Sequence, residues 1–172
     1  KNISYKKRLT TLPDPSGAIV FYSALKREHI MKTLSNHYQF VHEDLGSLFV
    51  SISEEGDGRA PKGEITLIAS LFTKTKDWFE LDKKEYLKKK KKLLEKISLA
   101  LEIQFDISSE NWLHKELATP KGFQKWTNRP YGIVGGLGQN PEIFGSAKII
   151  EKLESRLFKA SLPNGKVIHA HF

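Results

Sequence analysis

The apolar residues of this chain fall into five short runs that predict strands. The first run is rich in β-branched and aromatic side chains and follows a Pro-Asp-Pro-Ser-Gly turn at residues 13–17. The second and third runs are joined through residues 44–46, which predicts an antiparallel hairpin. Three glycines and a proline make residues 54–63 a loop before the fourth run. The predicted strands cover residues 18–25, 37–42, 48–53, 64–72 and 112–117.

A helical spacing of apolar residues predicts one long helix over residues 82–102. Asp82 followed three residues later by Glu85 favours a capped start with an acidic first turn. Its apolar residues share one face and are expected to pack on the core: Leu87, Leu94, Ile97 and Leu101.

Two shorter helices complete the prediction. Residues 26–34 place Ile30, Met31 and Leu34 on one face, and Thr119 followed by Pro120 is a typical helix start for residues 119–127. The sum is an α+β domain: a largely antiparallel sheet with one long helix packed on it.

Length and composition agree with one globular domain. A chain of 172 residues buries about 70% of the surface that its unfolded form exposes, so it needs no cross-link to hold a core. The absence of cysteine excludes disulfide frameworks, thiolate metal sites and cysteine nucleophiles. No apolar run reaches the roughly 18 residues that a membrane-spanning helix needs.

The basic excess of the chain, a net charge of +8, is concentrated in the long helix and in the tail. The simplest interpretation is a solvated helix face. A second interpretation, compatible with the first, is contact with an anionic membrane surface through Lys88, Lys89, Lys90, Lys91 and Lys92. Nucleic acid is disfavoured, because the basic residues are mostly lysine and the lysine run contains one aromatic residue, Tyr86.

Side-chain chemistry is sparse. Gly136 and Gly138 do not begin a dinucleotide fingerprint, because Pro141 stands where its third glycine belongs. The histidines have no metal-ligand spacing, and no Gly-x-Ser-x-Gly elbow occurs, so no metal site and no catalytic side chain are predicted. Such a chain either binds without catalysis or works with a cofactor that residues outside it largely hold.

Four segments carry a family resemblance: residues 49–53, 57–63, 118–127 and 132–139. In order and spacing they resemble landmarks of the phytoene desaturase and carotenoid isomerase superfamily of FAD-dependent oxidoreductases, and within it the cyanobacterial carotenoid 3',4'-desaturases. The resemblance implies the substrate-binding domain of an amine-oxidase-like FAD enzyme over residues 1–145. Residues 146–172 depart from the family and read as a divergent basic tail with a helical spacing of apolar residues.

The resemblance also implies a function. The chain would be the substrate-domain portion of a carotenoid desaturase or isomerase, with FAD as cofactor and an N-terminal FAD-binding portion of the same enzyme as partner. It would lie peripherally on the cytoplasmic face of a membrane. The matching positions are Thr119, Pro120, Phe123 and Trp126 for the substrate, and Gly132, Gly135, Gly136 and Gly138 for the cofactor. The alternative is a non-catalytic basic module that binds an anionic membrane surface or nucleic acid.

Overall fold

The computed structural model describes Lys7, residues 14–30 and residues 36–135. Within them lie five strands and three α-helices, joined by short 3₁₀ turns. The strands are β1 (Ser16–Lys26), β2 (His37–His42), β3 (Gly46–Ile52), β4 (Glu64–Lys74) and β5 (Trp112–Ala118). The helices are α1 (Lys76–Phe79), α2 (Lys83–Phe105) and α3 (Pro120–Thr127).

All five strands form one antiparallel sheet in the order β2-β3-β4-β1-β5. The hairpin of β2 and β3 was predicted and is confirmed, with His37 opposite Ser51 and His42 opposite Gly46. The first strand lies between β4 and β5, although long stretches of chain separate it from both. The predicted α+β class, with a largely antiparallel sheet and one long helix packed on it, is confirmed.

The long helix begins as its sequence predicts. Asp82 accepts a hydrogen bond from the backbone N–H of Glu85, and the Glu85 side chain accepts one from the backbone N–H of Asp82. This capping box satisfies two N–H groups that the first helical turn leaves without partners. The helix ends at Asp106, which adopts the left-handed conformation with φ 53°.

The core lies between α2 and one face of the sheet. The alternate residues of β1 from Ile19 to Leu25 point into it, as do Leu67 and Ala69 of β4. The helix contributes three buried residues to this cluster, Ile97, Leu101 and Phe105, with the small Ala100 buried beside them. Half-buried residues of the helix also pack against it: Tyr86, Leu93 and Leu94.

Two local predictions were wrong. Over residues 26–30 a 3₁₀ turn at Arg27–His29 stands in place of the predicted helix, and Ile30 is extended. Residues 31–34, with Met31 and Leu34, lie outside the described residues. Arg27 is held instead by Gly63 and Ser53, because its backbone N–H and its guanidinium donate to their carbonyl oxygens. Leu87 is exposed rather than packed on the core. At its level of α2 the packing is made by Tyr86, whose ring meets that of Trp78 edge-on.

Candidate functional site

The two faces of the sheet differ. One carries the core under α2, and within the described residues the helices contact the sheet through that face or at its end. The other face consists of the alternate residues that point away from α2. We call this surface the open face. Its larger side chains are Val20 and Tyr22 of β1, Val41 of β2, Phe49 of β3, and Ile68 and Phe72 of β4.

The strand register brings these side chains together in adjacent rows. Ile68 lies opposite Tyr22 on one side and Ser51 on the other. In the next row Ser70 lies between Phe49 and Val20. Directly opposite and diagonal neighbours on one face of a sheet are close enough for their side chains to touch. The open face therefore carries an apolar strip with small serines in it on β3, β4 and β1, about 10 Å wide across these three strands.

Several of these side chains are exposed to an unusual degree for large apolar groups. Phe72 is 77% exposed, Val41 64% and Phe49 47%. Exposed apolar residues are ordinary when scattered singly, but a contiguous apolar surface marks a place where something binds.

Polar groups border the open face at both sides. On β5, His114 and Glu116 approach each other at 3.9 Å between Nε2 and Oε2. On the β2 side, the His37 ring stacks on Phe49 with centroids 5.7 Å apart, and the Gln39 amide donates to Ser47. A flat apolar surface with polar margins suits a long apolar molecule better than a charged one.

The predicted substrate residues Thr119 and Pro120 lie inside the fold. Both are buried, and the Thr119 hydroxyl is 3.0 Å from the Tyr86 hydroxyl of α2. Thr119 is the predicted N-cap of α3, yet its side chain makes no capping hydrogen bond. In the described structure these two residues join the start of α3 to the start of α2.

Phe123 and Trp126 follow on α3, and the structure separates them by exposure. Phe123 is half-buried, whereas Trp126 is 82% exposed, with the Lys125 ammonium 5.4 Å from its ring centroid. An indole this exposed is accessible to a ligand. The assignment of a substrate to the four residues of this helix stays a prediction.

The glycine passage lies beside the start of β1, where Ile133 forms a bridge to Gly17. Gly132 has φ +59°, and a Cβ built on it would stand 1.9 Å from the carbonyl oxygen of Pro120. The close backbone approach at Gly132 is therefore to the first residue of α3. A Cβ on Gly135 would meet nothing within 4 Å.

These two glycines do not form a cradle that a flavin ring would fill, because Pro120 occupies the space at Gly132 and Gly135 borders open space. Gly136 and Gly138 lie outside the described residues, as does the predicted tail over residues 146–172. The cofactor site stays a prediction.

The five predicted membrane-surface lysines do not share one surface. Lys89 donates to the carbonyl oxygen of Asp77 and lies 4.6 Å from the Trp78 ring centroid, so it helps hold α1 against α2. Lys90 is half-buried, whereas Lys88, Lys91 and Lys92 are exposed.

Other candidate chemistry is accounted for locally. Asp57 accepts from the backbone N–H groups of Glu54 and Arg59, and the Arg59 contacts hold the pKa of its carboxyl below the usual value. These contacts close the loop, as predicted. Among the residues that the structure describes, no cluster of histidine and acidic groups could hold a metal ion, and no helix is long and apolar enough to cross a membrane.

No family model matches this chain, and no curated protein matches it. The resemblance to the desaturase and isomerase superfamily therefore stays a prediction. Sequence reasoning missed the open face itself. The signal that could have found it is the apolar character of both alternating sets of residues in 18–25, together with Ile68 and Phe72 in the outward set of 64–72, which is more than one buried face requires.

Proposed function

We propose that this domain binds an elongated apolar molecule along the open face of its sheet, and that the molecule is a carotenoid polyene. The observation that carries the proposal is the contiguous strip of exposed apolar side chains on a sheet whose other face is already packed. The polyene is the ligand that the sequence resemblance suggests.

Exposing the apolar strip to water is unfavourable in free energy, so a ligand that covers it is stabilised. Each fully exposed apolar side chain that a ligand covers contributes about 1.5–3 kcal/mol at most, before the entropy lost on binding is subtracted. Phe49, Phe72 and Val41 retain enough exposure for a ligand to gain from covering them. A rigid polyene loses little conformational freedom on binding, which favours it over a flexible chain of equal length.

The rows of the sheet also suit an extended shape. A polyene lying across the strands would follow Phe49, Ser70 and Val20 in turn, with Ile68 and Tyr22 beside it. The small serine side chains leave shallow depressions between the larger side chains. Among the described residues, the row through Ser70 holds no charged side chain, whereas the adjacent row ends at Glu116, opposite Tyr22. A polyene that follows the row through Ser70 therefore leaves this carboxylate in water.

In this proposal the chain supplies the substrate surface of a flavin-dependent desaturase or isomerase. A flavin would have to be held by another portion of such an enzyme, since Gly132 and Gly135 do not form a cradle for it. The part of this chain described above would bind and orient the polyene and exclude water from one side of it.

The test is direct binding of β-carotene, dispersed in a neutral detergent, to the full chain. Binding to an asymmetric protein surface is expected to shift the visible absorption band of the polyene and to induce circular dichroism in it. Phe49→Ser combined with Phe72→Ser should weaken the signal by about tenfold or more, since two exposed rings leave the strip. Both side chains are substantially exposed, so the variant should remain folded.

The matched control is Leu99→Ser combined with Ile103→Ser. These residues are equally exposed but lie on α2, on the opposite side of the sheet. The control should bind β-carotene as the natural sequence does. Absence of any induced signal, or equal loss in both variants, would contradict the proposal.

A further inference from the structure

The outer side of α2 carries a row of residues that the core does not use. Positions 88, 92, 99 and 103 are separated by four, seven and four residues, so they fall on one face of the helix. This face lies opposite Ile97 and Leu101, which are fully buried. We call these four residues the outer row: Lys88, Lys92, Leu99 and Ile103.

The outer row is basic at one end and apolar at the other. Leu99 is 56% exposed and Ile103 76% exposed, although the helix already buries other apolar residues in the core. Within the described part of the chain, neither Lys88 nor Lys92 forms an ion pair. Asp44 interacts electrostatically with Lys92, but its carboxylate pairs with Lys96 at 2.6 Å. Two other acidic residues beside the row are also engaged: Glu95 faces Lys91 at 3.9 Å, and Glu102 accepts a hydrogen bond from the Trp112 indole at 2.7 Å.

We infer that the outer row is a docking surface for an anionic lipid bilayer, with Lys88 and Lys92 at the headgroups and Leu99 and Ile103 inserted beneath them. Exposed lysines attract a negatively charged surface, and aliphatic side chains on the same helix face gain from leaving water at its boundary. A solvated face would not need Leu99 and Ile103, which is why the observations favour a partner.

Nucleic acid is the less suitable partner for this row. The row holds neither an arginine nor an aromatic side chain, so it lacks both the bidentate phosphate fork and the stacking platform that strand binding uses. Its two aliphatic residues would gain nothing from a phosphate backbone. A bilayer offers anionic headgroups to the two lysines and an apolar layer to Leu99 and Ile103.

Only two of the five lysines predicted for a membrane surface, Lys88 and Lys92, belong to the outer row. Lys89 serves the contact between α1 and α2, and Lys90 is half-buried, so neither belongs to the docking surface. The inference is independent of the proposed polyene site, which lies on the far side of the sheet. A domain docked through the outer row would keep its open face turned away from the bilayer and accessible.

The experiment is vesicle flotation of the full chain with phosphatidylcholine alone and with phosphatidylcholine mixed with phosphatidylglycerol. Binding is expected with the anionic vesicles only, and it should weaken as salt is raised. Lys88→Glu with Lys92→Glu should reduce binding by about tenfold or more. Lys62→Glu with Lys74→Glu changes the net charge equally at two other exposed lysines and should bind more tightly than that variant.

A second measurement tests the apolar half. Because the chain has no cysteine, Ile103→Cys offers a single site for an environment-sensitive fluorophore. The label should shift to the blue and brighten with anionic vesicles, whereas a label at Lys62→Cys should not. Equal binding by the two charge variants, no shift at position 103, or binding to an oligonucleotide in place of vesicles would each overturn the inference.

Discussion

The two faces of the sheet are built from the same strands, yet one is buried under α2 and the other is partly exposed. On the core face, Phe21 of β1 is fully buried, whereas its neighbour Tyr22 on the open face is 39% exposed. Leu67 of β4 is fully buried, and Phe72 on the other face is 77% exposed. Apolar character alone therefore does not make a core, because a covering layer must also be present.

That layer is α2 on the core face. Its residues Ile97, Leu101 and Phe105 close over the sheet, and the Phe105 ring meets Tyr38 of β2 edge-on. In the described part of the chain, nothing equivalent covers the open face. The core face thus accounts for stability, and the open face is the surface to which we assign binding in our proposal.

The largest difference in stability between the two faces is expected when two neighbouring aromatic residues of β1 are truncated. Phe21→Ala should lower the free energy of unfolding by about 3–5 kcal/mol, because it empties a buried site and removes an edge-on contact with Trp112. Tyr22→Ala should cost less than about 1 kcal/mol. Chemical denaturation measures both. Similar losses would mean that the two faces are packed alike.

The join between α3 and the sheet edge offers a second test. Gly132→Ala should destabilise the domain by about 2 kcal/mol or more, since an alanine at φ +59° is strained and its Cβ would overlap the Pro120 carbonyl. Gly135→Ala is the matched control, because a Cβ there meets nothing within 4 Å. Thermal unfolding of the two variants gives the difference. Equal melting temperatures would contradict the described packing of Gly132.

The N-terminal end of α2, the helix that covers the core face, can be destabilised by removing its cap. Asp82→Ala removes the acceptor for the Glu85 backbone N–H and should cost about 1 kcal/mol. Hydrogen exchange should rise in the first turns of α2 while the strands stay protected. Glu55→Ala removes one exposed acid in a loop and serves as the control. Unchanged exchange in Asp82→Ala would show that the capping box does not hold the helix end.

The smallest effect concerns the pair that links α2 to the β2–β3 hairpin. The Lys96 ammonium, 2.6 Å from the Asp44 carboxylate, holds the pKa of Asp44 below its ordinary value. Because this pKa is lower in the folded than in the unfolded state, the pair stabilises the fold above the unfolded-state pKa and is lost as pH falls through the folded one.

Titration by NMR checks this pair. Lys96→Met should raise the pKa of Asp44 toward its ordinary value and change the unfolding free energy little, since Asp44 is largely exposed and Lys96 is only partly buried. Lys91→Met, whose neighbour is Glu95, should leave Asp44 unchanged. An Asp44 pKa that ignores the loss of Lys96 would contradict the contact.

Local patterns predicted the strands and the long helix because their causes lie within a few residues. The turn at Gly46 sets the hairpin, and Asp82 with Glu85 sets the start of α2. The sequence could not show that Leu87 would remain exposed, since that depends on where Trp78 packs. Nor could it show that the Thr119 hydroxyl would meet Tyr86, a residue 33 positions earlier.

Local sequence patterns also could not predict which residues form the open face. Whether Tyr22 or Phe21 faces the covering helix follows from the register with β4 and β5 and from the side on which α2 lies, which are tertiary facts. The four residues assigned to the substrate through the resemblance lie at α3, and the structure sets the apolar strip elsewhere, on β1, β3 and β4.

One face of the sheet is packed, and we propose that the other binds an apolar ligand. The most direct measurement is a set of intermolecular NOEs between detergent-dispersed β-carotene and the methyl groups of the chain. We expect contacts to Val20 and Ile68 on the open face and none to Ile19 and Leu67, their neighbours on the core face. Contacts confined to methyl groups of α2, or none at all at Val20 and Ile68, would contradict the claim.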